Sequence, residues 1–250
     1  MDRLIYTALS GMNASMVQQR MLANNMANAN TIGFRAEVMA ASPATLTSGV
    51  GGQALEARAH GNAAVRGARM EAGPISTTGR NLDVALEGRA LLAVQGPDGE
   101  EAYTRRGDLS VSPNGLLVNG EGYPVIGQGG PITLAPDAIA SIAPDGRVLV
   151  ADPATPDLPP QEVDRLKLAS PDGSRIWKGL DNLFRVEGGG VLPDDEAATL
   201  VAGSLEQSNV KPTEVLVQMV EAQRLFEIRT KLLATAREVD EGSAMLMRLG

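Results

Sequence analysis

The sequence predicts an α+β protein: a long helix at each end, a central, mainly antiparallel β domain, and an extended Gly/Ala/Ser-rich arm. Three observations predict it. Apolar residues recur at four- and three-residue spacing near both termini, as one face of a helix requires. Four copies of a Pro-Asp/Asn-Gly turn signal punctuate the middle of the chain. Ahead of the first copy lies a stretch of small residues in which large apolar side chains are too sparse to build a core. The boundaries read as 1–35 for the N-terminal helix, 36–79 for the arm, 80–190 for the β domain, 191–207 for a return segment and 208–250 for the C-terminal helix.

In the first helix Ile5, Leu9, Met12, Met16, Ala23 and Met26 form a narrow heptad stripe that Gln19 interrupts. Arg3 and Arg20 have no charge between them, so the opposite face is Ser, Thr, Asn and Gln. Such a helix expects neighbours on several sides. It should stop in the run around Asn28 and Asn30, because Asn tolerates the left-handed conformation of a helix C-cap, and Gly33 then lets the chain turn.

From Glu37 to Gly79 the chain is mostly Ala, Ser, Thr and Gly. Val38, Met39, Leu46, Val50, Leu55, Val65 and Met70 are too scattered for an independent core, and the segment reads as a linker or extended arm. In the middle, Pro97-Asp98-Gly99, Pro113-Asn114-Gly115, Pro144-Asp145-Gly146 and Pro171-Asp172-Gly173 each read as a hairpin turn. Pro presets φ, Asp or Asn follows, and Gly supplies the positive φ of a tight reversal with a bulge. Between them lie short strand-like runs: Leu82, Val84 and Leu86; Ala90 to Val94; Leu116 to Val118; Val148 to Val150; and Leu166 with Leu168.

The second helix begins at Pro212, which suits a first helical position, with Glu214 at the positive end of the helix dipole. Leu216, Met219, Val220, Phe226 and Leu233 mark one face, with Leu225, Ile228, Leu232 and Val239 as its shoulder. Running to about Arg248, it would be about 50–55 Å long at ~1.5 Å per residue, too long to hide inside a small domain. The two stripes could pair within one subunit, with other copies, or both.

Composition excludes several functions. Net charge is −8, the wrong sign for a general phosphate-binding surface, so no nucleic-acid partner is expected. The absence of Cys removes disulfides, thiolate nucleophiles and thiolate metal ligands. The N-terminus lacks a basic stretch followed by an unbroken apolar run, so it reads as neither a cleavable signal nor a membrane span.

Chemistry is thinly served. His60, the single histidine, has no carboxylate within several residues, so neither a triad nor a zinc site is marked. The string from Gly49 to Ala54 matches a loose dinucleotide fingerprint, but no strand precedes it; a flexible segment is the plainer reading. Gly127 to Gly130 lacks the Lys-Ser/Thr ending of a phosphate loop and reads as a turn. Glu100-Glu101, Asp194-Asp195-Glu196 and Asp240-Glu241 lack calcium-loop spacing and read as solvated surface. Met12, Met16, Met21 and Met26 read first as packing residues. The expectation is a non-enzyme with no catalytic residue, no cofactor, no metal and no small-molecule substrate.

Leu22 to Arg35, LANNMANANTIGFR, closely resembles the N-terminal signature of the flagellar rod, hook and hook-associated axial proteins. Ser208-Asn209-Val210 followed by EVLVQMVEAQRLFE resembles their C-terminal signature. Two matches at opposite ends, in the right order, are far more specific than either alone. Within that family DRLIYTALSGM, LDVALEGRALLAVQ, YTRRGDLSVSPNGLLV and GYPVIGQGGPITL are similar to the proximal-rod members. Distal-rod or hook-type members are the alternative inside the family, and a secreted β-domain binding module is the alternative outside it.

The resemblance implies a structural subunit of the basal-body rod crossing the periplasm. It implies export by the flagellar type III apparatus without a cleavable signal peptide, and assembly with other copies of itself and other rod proteins. It also implies that the terminal helices form a coiled-coil domain. Ile5, Leu9, Met12, Met16 and Met26 would then pack against Leu216, Met219, Phe226 and Leu233. Asn24, Asn28, Gly33 and Phe34 would shape the exit from the first helix, and Ser208, Asn209 and Gln223 belong to the matching C-terminal motif.

Overall fold

A computed structural model describes residues 2–42, 45–47, 56–58, 62–135, 138–151 and 159–248. The chain divides into two compact units. One contains Met1–Ala27, Glu37–Gly67 and Lys211–Gly250, and is the helical unit. The other, the β body, contains Asn28–Ala36 and Ala68–Val210.

In the helical unit, α1 spans Asp2–Ala27 and α2 spans Pro212–Arg248. Pro212 and Glu214 occupy the first turn of α2, where a missing N–H costs nothing and a carboxylate meets the positive end of the dipole. The helices pack on one another. Arg229 of α2 donates to the Gly11 carbonyl and to Ser15 Oγ of α1, and Ser15 is buried. Among the described residues, no helix is long and apolar enough to cross a membrane.

The expected coiled-coil domain is not what forms. Two helices occur among the described residues, and most of what lies between them is short strands in eight small sheets. A coiled coil needs a sustained seam of large apolar residues. Here, among the described side chains, the buried residues of α1 are Ser15, Leu22 and Asn25, those of α2 are Val215 and Ala222, and a guanidinium sits in the contact. Leu9, Met16 and Leu216, expected in the seam, are exposed, at 52%, 40% and 49%.

The expected arm is corrected as well. Strand Glu37–Ser42 pairs with Asn62–Ala68, and Thr45–Thr47 pairs antiparallel with Glu56–Arg58. Scarcity of large apolar residues argues against a core, but ladder pairing uses backbone N–H and C=O groups that every non-proline residue carries. Asn25 secures this segment to α1: its side chain donates to the Glu37 carbonyl at 3.0 Å and accepts from the Glu37 N–H at 2.8 Å. His60 and the Gly49–Ala54 string lie outside the described residues.

The β body is built on a five-stranded antiparallel sheet. Its order is Leu168–Ala169, Leu91–Gln95, Glu101–Thr104, Phe184–Val186, Ile176–Lys178. Leu91–Gln95 is covered on both faces. Leu92 and Val94 enter one core with Val84, Leu109, Leu117, Val125 and Leu183, while Leu91 and Ala93 enter a second with Tyr103, Phe184 and Leu192. This alternation is why the run reads as continuously apolar. Tyr103, fully buried, donates to Glu101 Oε1 at 2.7 Å and accepts from the Leu192 N–H at 2.6 Å.

Three of the four turn signals make hairpins, joining Leu91–Gln95 to Glu101–Thr104, Ser110–Val111 to Leu117–Val118, and Ile139–Ile142 to Arg147–Ala151. Their glycines have φ of 82°, 80° and 85°. The fourth is a correction. The turn at Pro171 has the same chemistry, yet its flanking strands lie at opposite edges of the five-stranded sheet. Turn residues set a local reversal; which strands then pair depends on distant partners.

Candidate functional site

Parts of the two stretches that resemble the family signatures, residues 28–35 and 208–210, meet in the β body. Asn28–Ala36 follows α1 in the chain, and Ser204–Val210 precedes α2. The helix stops at Ala27, near the asparagine run, but by a different device from the one expected. Asn182 is the only non-glycine with positive φ among the described residues. Asn28 instead acts through hydrogen bonds, its carbonyl accepting from the Thr31 N–H and its Oδ1 from Thr31 Oγ1, both at 3.1 Å. Gly33 then takes φ of 67°, and a Cβ there would lie 2.5 Å from the Arg105 carbonyl carbon, so no side chain fits.

Beyond Gly33 the chain enters a buried ion cluster. Glu206 Oε2 accepts from Arg105 Nε at 2.7 Å and lies 2.6 Å from its Nη2, while Oε1 lies 2.8 Å from Arg35 Nη2. All three side chains are 1% exposed. Oε1 also accepts from the Gly73 N–H at 2.7 Å. Two guanidiniums therefore face one carboxylate. Backbone carbonyls offset the excess charge: Arg105 donates to those of Leu86, Gly88 and Ala90, and Arg35 to that of Glu71. Arg105 thus makes four hydrogen bonds, whereas Arg35 Nε and Nη2 are both buried with no hydrogen-bond partner, Nη2 meeting Glu206 as an ion pair. Burial pulls the Arg35 guanidinium down to about 10, opposed by Glu206 and reinforced by Arg105.

Backbone and amide contacts complete the junction. Glu206 pairs with Ile75, its carbonyl accepting from the Gly33 N–H at 2.8 Å. Asn209 Oδ1 accepts from the Ala36 N–H at 2.7 Å, and its Nδ2 donates to the carbonyls of Arg69 and Glu71, each at 2.8 Å. The Asn209 N–H donates to the Phe34 carbonyl at 3.2 Å. Phe34 is buried beneath Lys178, whose Nζ lies 3.4 Å from the ring centroid and donates to the Arg35 carbonyl at 3.0 Å. Ser208, also buried, accepts from the Val210 N–H at 3.2 Å.

The structure thus brings together Asn28, Gly33, Phe34, Ser208 and Asn209 of the residues expected at an assembly interface. The others lie in the helical unit. Asn24 donates to Glu37 Oε1 at 2.6 Å; Met12, Met26, Met219, Phe226 and Leu233 are half-buried; Leu9, Met16, Leu216 and Gln223 are exposed. The side chain of Ile5 lies outside the described residues. Sequence reading missed Asn25, Arg35, Arg105 and Glu206. Arg35 ends the N-terminal matching stretch, but Glu206 lies two residues ahead of the C-terminal one and Arg105 far from both, so no local signal linked them. Among the described residues, no group of His, Cys, Asp or Glu is arranged to hold a metal.

The stretch after α1 and the stretch before α2 lock into one buried cluster, while both helices leave large apolar residues exposed. Three family models match the chain: flagella basal body rod protein over residues 5–35, the flagellar hook protein FlgE/F/G D1 domain over 85–150, and the flagellar basal body rod FlgEFG protein C-terminal over 201–244. The chain belongs to the flagellar basal-body rod protein family, as a structural rod subunit. It is 39% identical to flagellar basal-body rod protein FlgF of Salmonella typhimurium, over 98% of this chain and 97% of the relative. To FlgF of Escherichia coli K12 it is 38% identical over 94% of each chain. Flagellar basal-body rod protein FlgG of Bacillus subtilis is 30% identical, over 96% of this chain and 97% of that one.

Proposed function

We propose that this chain serves as a FlgF-type subunit of the proximal rod, exported by the flagellar type III apparatus without a cleavable signal and added to the rod through its terminal helices. The observation that carries the reading is similarity along nearly the whole chain, higher to these FlgF relatives than to FlgG of Bacillus subtilis. The exposed apolar residues of α1 and α2 support it. Leu9, Met16, Leu216, Val220, Leu225, Ile228 and Leu232 remain open in the subunit, and burying each such side chain against a neighbour is worth about 1.5–3 kcal/mol. Other copies of this chain and other rod proteins are the partners that would cover them. A distal-rod role is the second reading, favoured by the FlgG relatives.

An in-frame deletion in the source bacterium tests the proposal, scored by swimming and by electron microscopy of isolated basal bodies. The expected result is basal bodies lacking a complete rod, restored by the intact gene but not by one lacking residues 1–35 or carrying Phe226→Asp. A rod that halts only after its proximal part is built would favour the distal role. Normal flagella without a duplicate gene would discard the rod assignment.

A further inference from the structure

The cluster in the β body joins segments with different attachments to the core. Arg105 directly follows the central strand Glu101–Thr104 and is tied to three carbonyls of the stretch Leu86–Ala90, whose two end residues belong to the core. Glu206 sits at the end of Ser204–Glu206, whose ladder partner among the described residues is the exposed strand Ile75–Thr77. Arg35 lies in the nine-residue stretch Asn28–Ala36, which forms no strand and is held by side-chain and isolated backbone hydrogen bonds. The ladder of Leu91–Gln95 with Glu101–Thr104 closes without help from Glu206 or Arg35.

We propose that Glu206 is a latch: it ties the segment following α1 to the strand preceding α2, so the two chain exits open and close as one unit while the five-stranded sheet stays folded. The contacts form a closed circuit. Glu206 holds Arg35 through its carboxylate and Gly33 through its carbonyl. Asn209, three residues on, holds Phe34 and Ala36. Residues 69–73 are the shared floor, bonded from both sides: Arg69 to Ala36 and Asn209, Glu71 to Arg35 and Asn209, Gly73 to Glu206. A Cβ on Gly73 would lie 2.0 Å from the Gln207 carbonyl oxygen, so the floor and the closing strand touch with no room for a side chain. Release of either segment strips hydrogen bonds from the other, and that reciprocity makes them one cooperative unit. Because α1 directly precedes this circuit and α2 directly follows it, displacement of one exit registers at the other.

Hydrogen exchange on the full-length chain under native conditions tests the latch. With Arg35→Met, the amides of Gly33, Ala36, Gln207 and Asn209 should exchange faster together, each by about tenfold or more, although the Gln207 and Asn209 N–H groups bond to Pro74 and Phe34 and not to the Arg35 side chain. Amides of Leu91–Gln95 and Glu101–Thr104 should keep their original rates. With Glu206→Gln the same set should accelerate, now joined by Gly73. Acceleration confined to residues 33–36 would overturn the proposal, because the exits would then open independently. Acceleration spreading into the core strands, or failure of either variant to fold, would overturn it equally, since the sheet would then depend on the cluster.

Discussion

In the β body, Leu91, Leu92, Ala93 and Val94 are wholly buried on successive positions of one strand. In the helical unit, Leu225, Ile228 and Leu232 repeat along α2 at helical spacing and stand open, Leu232 at 61% exposure. Both segments are rich in aliphatic residues, so composition does not separate them. What separates them is who supplies the covering surface. The strand finds it within its own unit, because a sheet covered on both faces closes two cores at once. Among the described residues the helix packs chiefly on α1, which covers one stripe of a surface that is apolar on more than one side. A wide apolar face left open on a long helix is the signature of an interaction surface.

The largest predicted effect tests the self-sufficiency of the β body. Arg105→Met would remove the guanidinium from two buried carbonyls and one part-buried one and leave Glu206 with a single cation, costing about 3–5 kcal/mol. Trp177, the one tryptophan, sits on an edge strand of the five-stranded sheet and reports unfolding of this unit by fluorescence. A midpoint unchanged in denaturant would show that the cluster contributes little and that the comparison rests on the apolar cores alone.

Asn209→Ala comes next. It removes the acceptor for Ala36 and the donors for Arg69 and Glu71, and a loss of about 1–3 kcal/mol is expected by the same probe, partly because these amides are half-exposed and water replaces some bonds. A loss as large as that of Arg105→Met would mean the chain exits, rather than the ions, set the stability of the junction.

A pH experiment sharpens the contrast from the side of the core. Burial first, and then the bond to Glu101, raise the Tyr103 hydroxyl above an ordinary tyrosine. A raised acid is held protonated by the fold, so its contribution is fully present below about pH 10 and is lost as pH rises beyond that. The fall in stability above pH 10 should therefore be shallower in Tyr103→Phe than in the parent chain. Equal slopes would place the alkaline loss elsewhere.

The smallest effect belongs to α2. Leu232→Ser should leave the stability of the isolated subunit within about 0.5 kcal/mol, read by helical circular dichroism, because the side chain is exposed. Assembly should nevertheless suffer, measured as recovery of rods in a complemented deletion strain. A marked loss of helix in the free subunit would mean that this face is already covered and would erase the contrast between the units.

Much of this was legible in the chain itself. Pro212 and Glu214 mark the start of α2, and the asparagine run marks the end of α1, because caps and dipoles act over a few residues. The turns at Pro97, Pro113 and Pro144 produce hairpins for the same reason. The strand pairs of residues 37–68 were hidden because small polar residues carry no core pattern, and the turn at Pro171 misled because its neighbours pair across the sheet.

The ion cluster was illegible for a stronger reason. Arg105 and Glu206 are 101 positions apart, and Ala36 and Asn209 are 173 apart. Periodicity reports only what lies within a few turns of the same element. The sequence by itself determined where the helices begin and end, where the chain reverses, and which terminal stretches mark the family, since each is a local property of backbone and side chain. Only the tertiary structure decided that Ser15 and Arg229 meet between the helices, that Asn25 holds Glu37, that Leu9 and Leu232 are exposed, and that three charges from distant stretches share one buried site. Burial is a property of what packs against a residue, and no single segment carries that information.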